Sequence, residues 1–201
     1  RAGGGRGMTD TQKKPLWKNE LVWLFLITSG LFAILYSKFI LGGYAYVFTD
    51  TGADTMQINY AQYGLFSSLF RSGESGYVLQ AGLGMDVSSY YPAYLIPYNL
   101  LILLAPQRLL PWAVLASAYL KMITISLVGY LFYRKLMQDG IGTMAAALAW
   151  TFSGYVILWG QHYGFCTCMA LFTVFMYFLQ CYLNGEQRWK SAGLVITVTM
   201  L

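Results

Sequence analysis

The feature that most constrains this chain is a series of apolar runs long enough to cross a membrane. These runs cover residues 21–41, 110–132, 143–159 and 165–183, and a further run begins near Ala192. A membrane-spanning helix needs about 20 mainly apolar residues. Hydrophobic residues make up 57% of the chain and charged residues only 10%, whereas soluble domains carry about 25% charged residues. The sequence therefore predicts an all-α polytopic membrane protein.

The two ends of the chain suggest a piece of a longer protein. Residues 1–7 precede the first methionine and are interpreted as a non-native remnant. Residues 8–20 are polar and are expected to form a cytoplasmic tail ahead of a retained signal anchor. The last apolar run, 192–201, is too short for a full span. We therefore expect residues 21–201 to be the amino-terminal part of a larger transmembrane domain.

Basic residues set the expected orientation, because short cytoplasmic loops are enriched in Lys and Arg. The lysines of residues 8–20 predict a cytoplasmic amino terminus, and Arg134, Lys135, Arg188 and Lys190 fall on the same side when the runs alternate. The formal net charge of +5 thus follows the membrane topology and forms no continuous basic stripe. A nucleic-acid partner is not expected.

This topology requires that segment 91–106 does not cross the membrane. Pro92, Pro97 and Pro106 divide it into pieces too short to span, and we predict an interfacial or re-entrant segment. Residues 42–109 then form a long external loop. The loop at residues 160–164, which contains the only histidine, lies on the same external side.

The external loop contains its own helix signals. Apolar residues recur at helical spacing over residues 57–71, and Gly73 and Gly84 predict turns. Asp54, followed three residues later by Gln57, resembles an amino-terminal cap with its reciprocal partner. The many tyrosines of the loop favour the headgroup level of a bilayer. We expect the loop to lie on the membrane surface.

Two carboxylates, Asp50 and Asp54, follow the first run in a chain that has only 8 acidic residues. A carboxylate with a raised pKa can act as a general base, and two carboxylates can hold a divalent cation. Asp54 is therefore interpreted as a catalytic or metal-binding acid as well as a cap, and Asp50 as its partner. His162 is either an interfacial histidine or an acid/base or phosphate-contacting group.

A second set of candidates could contact a phosphate. Lys121 lies in the middle of run 110–132, where a charge costs a few kcal/mol and is usually functional or paired. It is interpreted either as a phosphate-binding residue or as a snorkelling one. Lys38, Arg71 and Arg108 are the expected external cations. Cys166 and Cys168 follow His162 at a metal-like spacing, but they are better explained as small apolar residues that begin a span.

Several motifs taken together resemble the bacterial YfhO family of membrane proteins. They are Asp50 to Asp54, Gly82 to Asp86, the Tyr90-Tyr91-Pro92 triplet, the segment from Pro97, and the Trp159 to Tyr163 loop. That family is similar to the GT-C superfamily of polytopic glycosyltransferases, which use polyprenyl-phosphate sugars outside the membrane. The resemblance covers most of the chain after Leu21. It implies a GT-C-like helix bundle in the cell membrane.

The resemblance also implies an activity and a set of partners. It implies an essential aspartate in the first external loop, which maps onto Asp54 or Asp50, and transfer of a sugar onto an envelope polymer such as teichoic acid. A donor-charging glycosyltransferase and a flippase would supply the lipid-linked donor. Apart from a divalent cation, no cofactor is expected. The candidate substrate-binding residues are His162, Gln161, Lys121, Arg71 and Tyr91.

Two other classes of protein remain open. In a transporter or flippase, the proline-broken segment 91–106 and Lys121 would line a path through the bilayer. In a non-catalytic membrane scaffold, neither the two aspartates nor His162 would matter for function. A dominant effect of Lys121 would favour the first class, and indifference to all these residues the second.

Overall fold

A computed structural model describes most of the chain after its polar tail. The described residues are 19–48, 54–74, 76–79, 84–86, 88, 96–137, 140–186 and 188–200. Within these ranges the protein is mostly helical. The predicted all-α class is therefore confirmed in its broad form.

Nine α-helices are found in the described part of the chain. They are α1 (Glu20–Leu35), α2 (Ser37–Leu41), α3 (Ala61–Ser72), α4 (Pro97–Leu104), α5 (Leu110–Leu136), α6 (Gly140–Thr151), α7 (Gly154–Trp159), α8 (Tyr163–Leu183) and α9 (Arg188–Met200). A π-helical turn, Thr55–Tyr60, leads into α3, and a 3-10 turn, Gln107–Leu109, leads into α5. Two short strands, β1 (Tyr77–Val78) and β2 (Met85–Asp86), pair antiparallel.

Three helical segments are long and apolar enough to cross a membrane. They are Gln107–Leu136, Gly140–Trp159 and Tyr163–Leu183. They coincide with three of the predicted runs. The segment Gly140–Trp159 is interrupted after Thr151, where α6 ends. Helix α7 then begins, and Ser153 caps it by accepting a hydrogen bond from the Val156 amide at 3.5 Å. The predicted run 143–159 therefore lies within one of these segments, Gly140–Trp159, and contains a break that composition did not indicate.

The first apolar run is also interrupted. Helix α1 begins after Asn19, whose side chain accepts a hydrogen bond of 3.0 Å from the Leu21 amide, and such a cap satisfies an otherwise orphaned donor. At Tyr36 the backbone leaves the helical conformation before α2 begins. Helix α1 therefore has 16 residues, and the apolar run reaches Leu41 only through α2.

Helix α5 is the centre of the packing, because α1, α4, α6 and α8 all lie against it. Hydroxyl groups mark one of these contacts: Thr28 on α1 and Ser126 on α5 share a buried hydrogen bond of 2.7 Å. Between α6 and α8, the Trp150 indole donates to the Thr173 hydroxyl at 2.9 Å. Hydrogen bonds of this kind hold membrane helices together, because an apolar helix surface packs on lipid as readily as on another helix.

The segment between α2 and α5 packs on the helices through its own small core. Phe66 and Leu69 on α3, Leu103 on α4 and Val78 on β1 are all buried. Full burial of a Phe or Leu side chain contributes about 1.5–3 kcal/mol. Helix α3 ends at Gly73, whose φ of 72° is the left-handed conformation that glycine adopts readily. The strand pair is a feature that the sequence did not predict.

Segment 91–106, predicted to be interfacial or re-entrant, is described from residue 96 onward, and residues 97–104 of it are helical. Helix α4 has 8 residues, begins with Pro97 at its first position and ends before Pro106, as expected where proline starts but cannot continue a helix. At 1.5 Å per residue it is about 12 Å long. Helix α4 is therefore too short to span a bilayer, in agreement with the prediction.

The described tyrosines between α2 and α5 do not share one environment. Tyr44 and Tyr77 are exposed, whereas Tyr46 and Tyr63 are buried in the main core. Tyr46 and Tyr63 are therefore packed inside the protein, and the membrane-surface position of the loop stays a prediction. Those two rings anchor the segment to the helices beneath it.

Candidate functional site

The segment that carries Asp54 is tied directly to the loop that carries His162. Thr55, the residue after Asp54, is fully buried, and its hydroxyl donates to the Gln161 carbonyl at 3.1 Å. Asp54 is partly buried, and its carbonyl accepts from the Asn59 amide group at 3.3 Å. The sequence placed both segments on one side of the membrane. The structure joins them through this bond from the Thr55 side chain to the Gln161 backbone.

Asp54 does not act as the predicted cap. Its backbone lies in the right-handed helical region, with φ −58° and ψ −39°, so the helix already includes it. Among the described residues, its side chain makes no capping hydrogen bond. The reason is geometric: a capping residue has an extended backbone that turns its side chain back toward the first amides. The carboxylate of Asp54 is therefore not committed to capping.

Tyr46 anchors the loop at Gly160–Tyr163 through two hydrogen bonds. The Tyr46 hydroxyl donates to the Gly160 carbonyl at 3.2 Å, and the Tyr163 hydroxyl donates to the Tyr46 carbonyl. Burial raises the pKa of the Tyr46 phenol above its ordinary value. Tyr46 therefore stays a neutral donor, and the loop is fixed between the segment that follows α2 and the start of α8.

A layer of aromatic rings continues this support. The rings of Tyr63 and Tyr163 stack at 5.4 Å, and those of Tyr46 and Tyr163 lie 5.8 Å apart. The Tyr63 hydroxyl donates to the buried Asn99 side chain at 3.4 Å. Tyr163 therefore links the helix that follows Asp54 with the start of α8.

The His162 ring lies within a cluster of aromatic side chains. Its centroid is 5.6 Å from Trp159 and 5.7 Å from Phe165, and those two rings are 5.3 Å apart. The imidazole is half buried. This packing restricts the orientation of the ring. A restricted ring is consistent with an interfacial histidine and with an acid/base group.

Lys121 is the candidate that the structure describes most clearly. Its side chain is only 2% exposed, and its ammonium group donates to the Tyr163 carbonyl at 3.1 Å. Side chains on a helix lean toward its amino-terminal end. Lys121 therefore reaches along α5 toward the Gly160–Tyr163 loop, and it lies directly beneath that loop.

The other predicted cations lie elsewhere. Lys38, Arg71 and Arg108 all have exposed side chains. Arg71 donates to the Ser67 carbonyl of its own helix at 3.1 Å, and the helical rise puts it about 15 Å beyond Ala61 along α3. Arg71 is therefore not part of the site around Thr55 and Gln161.

Two predicted site residues, Asp50 and Tyr91, lie outside the described residues. The proposed metal pair of Asp50 and Asp54 stays a prediction for this reason. In the part of the chain that is described, no group of three or more His, Cys, Asp or Glu side chains is placed to hold a metal ion.

Asp86 is another acid of the segment between α2 and α5. Its carboxylate accepts from the Ser88 hydroxyl at 2.6 Å and from the Ser88 amide at 3.0 Å. The Ser88 hydroxyl, and then the amide, lower the pKa of Asp86. An acid held in its ionised form in this way is a weak proton acceptor. Asp86 is therefore poorly suited to the role of general base.

Sequence reasoning missed Thr55 and Tyr163, whose hydrogen bonds connect the candidate segments, and the buried Ser117 on α5. Thr55 follows Asp54 directly, but its partner Gln161 is 106 residues away, so no local pattern reveals the bond. Ser117 lies four residues before Lys121 and therefore on the same helix face. That spacing was the only available signal.

Comparisons with protein-family models, curated proteins and solved structures give no match. The fold defines a helical protein with three segments long and apolar enough to cross a membrane. Its candidate site consists of the Asp54–Thr55 helix start, the Gly160–Tyr163 loop and the buried Lys121.

Proposed function

We propose that the chain is part of a GT-C-type membrane glycosyltransferase that moves a sugar from a polyprenyl-phosphate donor onto a cell-envelope polymer. The observation that carries the proposal is the Thr55 to Gln161 hydrogen bond. It joins the helix start that holds Asp54 to the loop above Lys121. An acid and a cation are thus associated with one loop, which is what transfer from a phosphate donor requires.

The proposed reaction needs a base and a positive charge. The bond between the sugar C1 and the phosphate oxygen breaks, and a new bond forms between C1 and the acceptor hydroxyl oxygen. The acceptor proton passes to a carboxylate, for which Asp54 is the described candidate and Asp50 the second. The departing phosphate is stabilised by a cation. A divalent ion held by the two acids is a further possibility for that charge.

The resemblance of the Asp50–Asp54 motif and the Trp159–Tyr163 loop to the YfhO family supports this assignment. On the basis of this resemblance we propose undecaprenyl phosphate as the lipid carrier and teichoic acid as an acceptor. We also propose a flippase and a donor-charging glycosyltransferase as partners. The external orientation of the site follows from the basic residues of the expected cytoplasmic loops.

The test is transfer by the full-length protein in membranes that contain a lipid-linked sugar and a teichoic-acid acceptor. Asp54→Asn and Asp50→Asn should each reduce transfer by about 100-fold or more, because a positioned base contributes about 10²–10⁴-fold. Glu74→Gln, which changes an exposed acid at the end of α3, is the matched control and should retain activity. Unimpaired transfer in both aspartate variants would remove this mechanism.

A transporter of lipid-linked substrates is the second candidate. The observation that favours it is the burial of Lys121 inside the helix bundle, since buried charges in membrane helices often mark substrate paths. In that case Lys121→Met should abolish movement of the lipid across the bilayer without any acceptor, while Asp54→Asn should have little effect. A scaffold would tolerate both variants.

A further inference from the structure

Each backbone carbonyl of the Gly160–Tyr163 loop accepts a hydrogen bond from within the protein. Three of these bonds come from side chains that are distant in the chain: Tyr46 to Gly160 at 3.2 Å, Thr55 to Gln161 at 3.1 Å, and Lys121 to Tyr163 at 3.1 Å. The fourth carbonyl, that of His162, accepts from the Phe165 amide at 2.9 Å. Carbonyls of surface loops are commonly left to water. This loop is instead anchored to three separate segments of the protein.

Tyr46 contacts both ends of this loop. Its hydroxyl donates to the Gly160 carbonyl, and its own carbonyl accepts from the Tyr163 hydroxyl. The Tyr46 ring is 2% exposed and packs edge-on against the rings of Phe39 and Phe48, each at 5.1 Å. A ring that is packed in this way, with its hydroxyl bonded, is locked in one orientation. Tyr46 therefore fixes the loop at Gly160 and at Tyr163 together.

The loop carries His162, the only histidine of the chain. The His162 amide donates to the Trp159 carbonyl at 3.0 Å, and its half-buried ring lies beside Trp159 and Phe165. Its two neighbours in the loop, Gln161 and Tyr163, have the carbonyls that Thr55 and Lys121 hold. A displacement of about 1 Å in a site can cost about 10²-fold in rate. Anchoring of this extent is what a preorganised functional group requires.

We propose that Tyr46 is a positioning residue that acts on sugar transfer through His162. The inference rests on the proposed function, because it assigns Tyr46 a role in that reaction and takes His162 as the group that contacts the substrate. The Tyr46 hydroxyl holds the loop, and the Thr55 bond ties the same loop to the residue after Asp54. Loss of the Tyr46 hydroxyl therefore loosens the imidazole relative to the Asp54 helix start without removing it.

The first measurement is sugar transfer by the full-length protein in lipid nanodiscs, with a lipid-linked sugar donor and a teichoic-acid acceptor. Tyr46→Phe should lower kcat by about 5-fold, the rate equivalent of one hydrogen bond, and change KM by less than about 2-fold. Tyr163→Phe breaks the second bond of the pair and should have the same effect. Tyr130→Phe is the matched control, because Tyr130 is also buried but its hydroxyl bonds to the Glu20 carboxylate. Its kcat should be unchanged.

The second measurement separates positioning from general destabilisation. His162→Asn should itself lower kcat, and Tyr46→Phe should cause no further loss in that background, because residues that act as a unit are not additive. A merely structural Tyr46 would lower transfer by the same factor in both backgrounds, and that result would overturn the proposal. Normal transfer by His162→Asn would also overturn it, since the group through which Tyr46 acts would then be dispensable.

The third measurement does not depend on transfer. Hydrogen exchange of the ligand-free protein should show the amides of His162 and Phe165 exchanging about 5-fold faster in Tyr46→Phe, and unchanged in Tyr130→Phe. Unaltered exchange in Tyr46→Phe would contradict the anchoring. If exchange rises but Asp54→Asn transfers normally, the anchoring stands and the transferase mechanism fails. If transfer requires Asp54 and His162 but is indifferent to Tyr46→Phe, the positioning role fails and the transferase stands.

Discussion

The Thr55 hydroxyl and the Gln161 carbonyl are joined by a hydrogen bond of 3.1 Å across 106 residues of chain. This bond connects the helix that begins at Asp54 with the loop that precedes α8. It is the direct link between the two segments that the sequence marked as functional. Its contribution can be measured, because Thr55 can be replaced without changing its shape.

Thr55→Val should slow sugar transfer by about 5-fold, which corresponds to the loss of one buried hydrogen bond of about 1 kcal/mol. The matched control is Thr151→Val. Thr151 is also buried, but its hydroxyl bonds only to the Ala147 carbonyl of its own helix, at 2.7 Å. Both variants should show similar melting temperatures. An equal effect of the two on transfer would show that the Thr55 bond does not position the site.

The external placement of the Asp54 segment can be checked by labelling in intact cells. Met56 is 56% exposed and Leu183 is 67% exposed, so a cysteine at either position should be reactive. In a protein whose native cysteines are replaced, Met56→Cys should react with a membrane-impermeant maleimide. Leu183→Cys should react only after permeabilisation. The opposite pattern would place Asp54 in the cytoplasm and contradict the proposed function.

The hydroxyl pair of Thr28 and Ser126 should couple α1 to α5. The two oxygens are 2.7 Å apart in a buried contact, and such bonds between membrane helices average about 0.6 kcal/mol in double-mutant cycles. We expect Thr28→Val, Ser126→Ala and the double variant to show a coupling energy of this size in unfolding measurements. Thr28→Val combined with Thr151→Val, which share no bond, should instead be additive.

Packing of α9 on α8 depends on the absence of a side chain at Gly193. An added Cβ there would lie 2.7 Å from the Phe178 ring, so Gly193→Ala should destabilise the protein by about 1–3 kcal/mol. Gly30→Ala is the control, because nothing lies within 4 Å of its added Cβ. That variant should be neutral or stabilising by up to about 1 kcal/mol. Thermal unfolding in detergent measures both.

Glu186, between α8 and α9, should make stability depend on pH. Hydrogen bonds from Lys135 and Lys190 lower the pKa of Glu186 to about 2, from 4.5. The folded state therefore binds this proton less readily than the unfolded state, and the contribution to stability is present above pH 4.5 and lost toward pH 2. The difference in melting temperature between wild type and Glu186→Gln should shrink over that interval. A difference that stays constant would contradict the assigned ion pairs.

The sequence predicted features that depend on local composition. Three apolar runs became helices of membrane-spanning length, because an unbroken run of apolar residues has few other ways to satisfy its backbone in lipid. The helix over residues 57–71 and its end at Gly73 followed from apolar spacing and from the left-handed conformation of glycine.

The breaks within two of the apolar helical runs were not predicted from local composition. Tyr36 and Ser153 fit an apolar helix by composition, and their breaks appear only in the fold. The cap assigned to Asp54 failed because the backbone of Asp54 is itself helical and its side chain makes no capping hydrogen bond. Local patterns give the residue types that a terminus accepts, whereas the bond from Thr55 to Gln161 depends on how distant segments pack.

The sequence by itself determined the all-α class, three runs long and apolar enough to cross a membrane, and the chemical types available for a site, since hydrophobicity and charge act residue by residue. The tertiary structure alone decided which of these residues meet. Thr55 contacts Gln161, Lys121 lies beneath Tyr163, and Arg71 is left outside. The physical reason is that burial and hydrogen bonding between distant segments depend on how the helices pack around α5, and no pattern within a single segment encodes that packing.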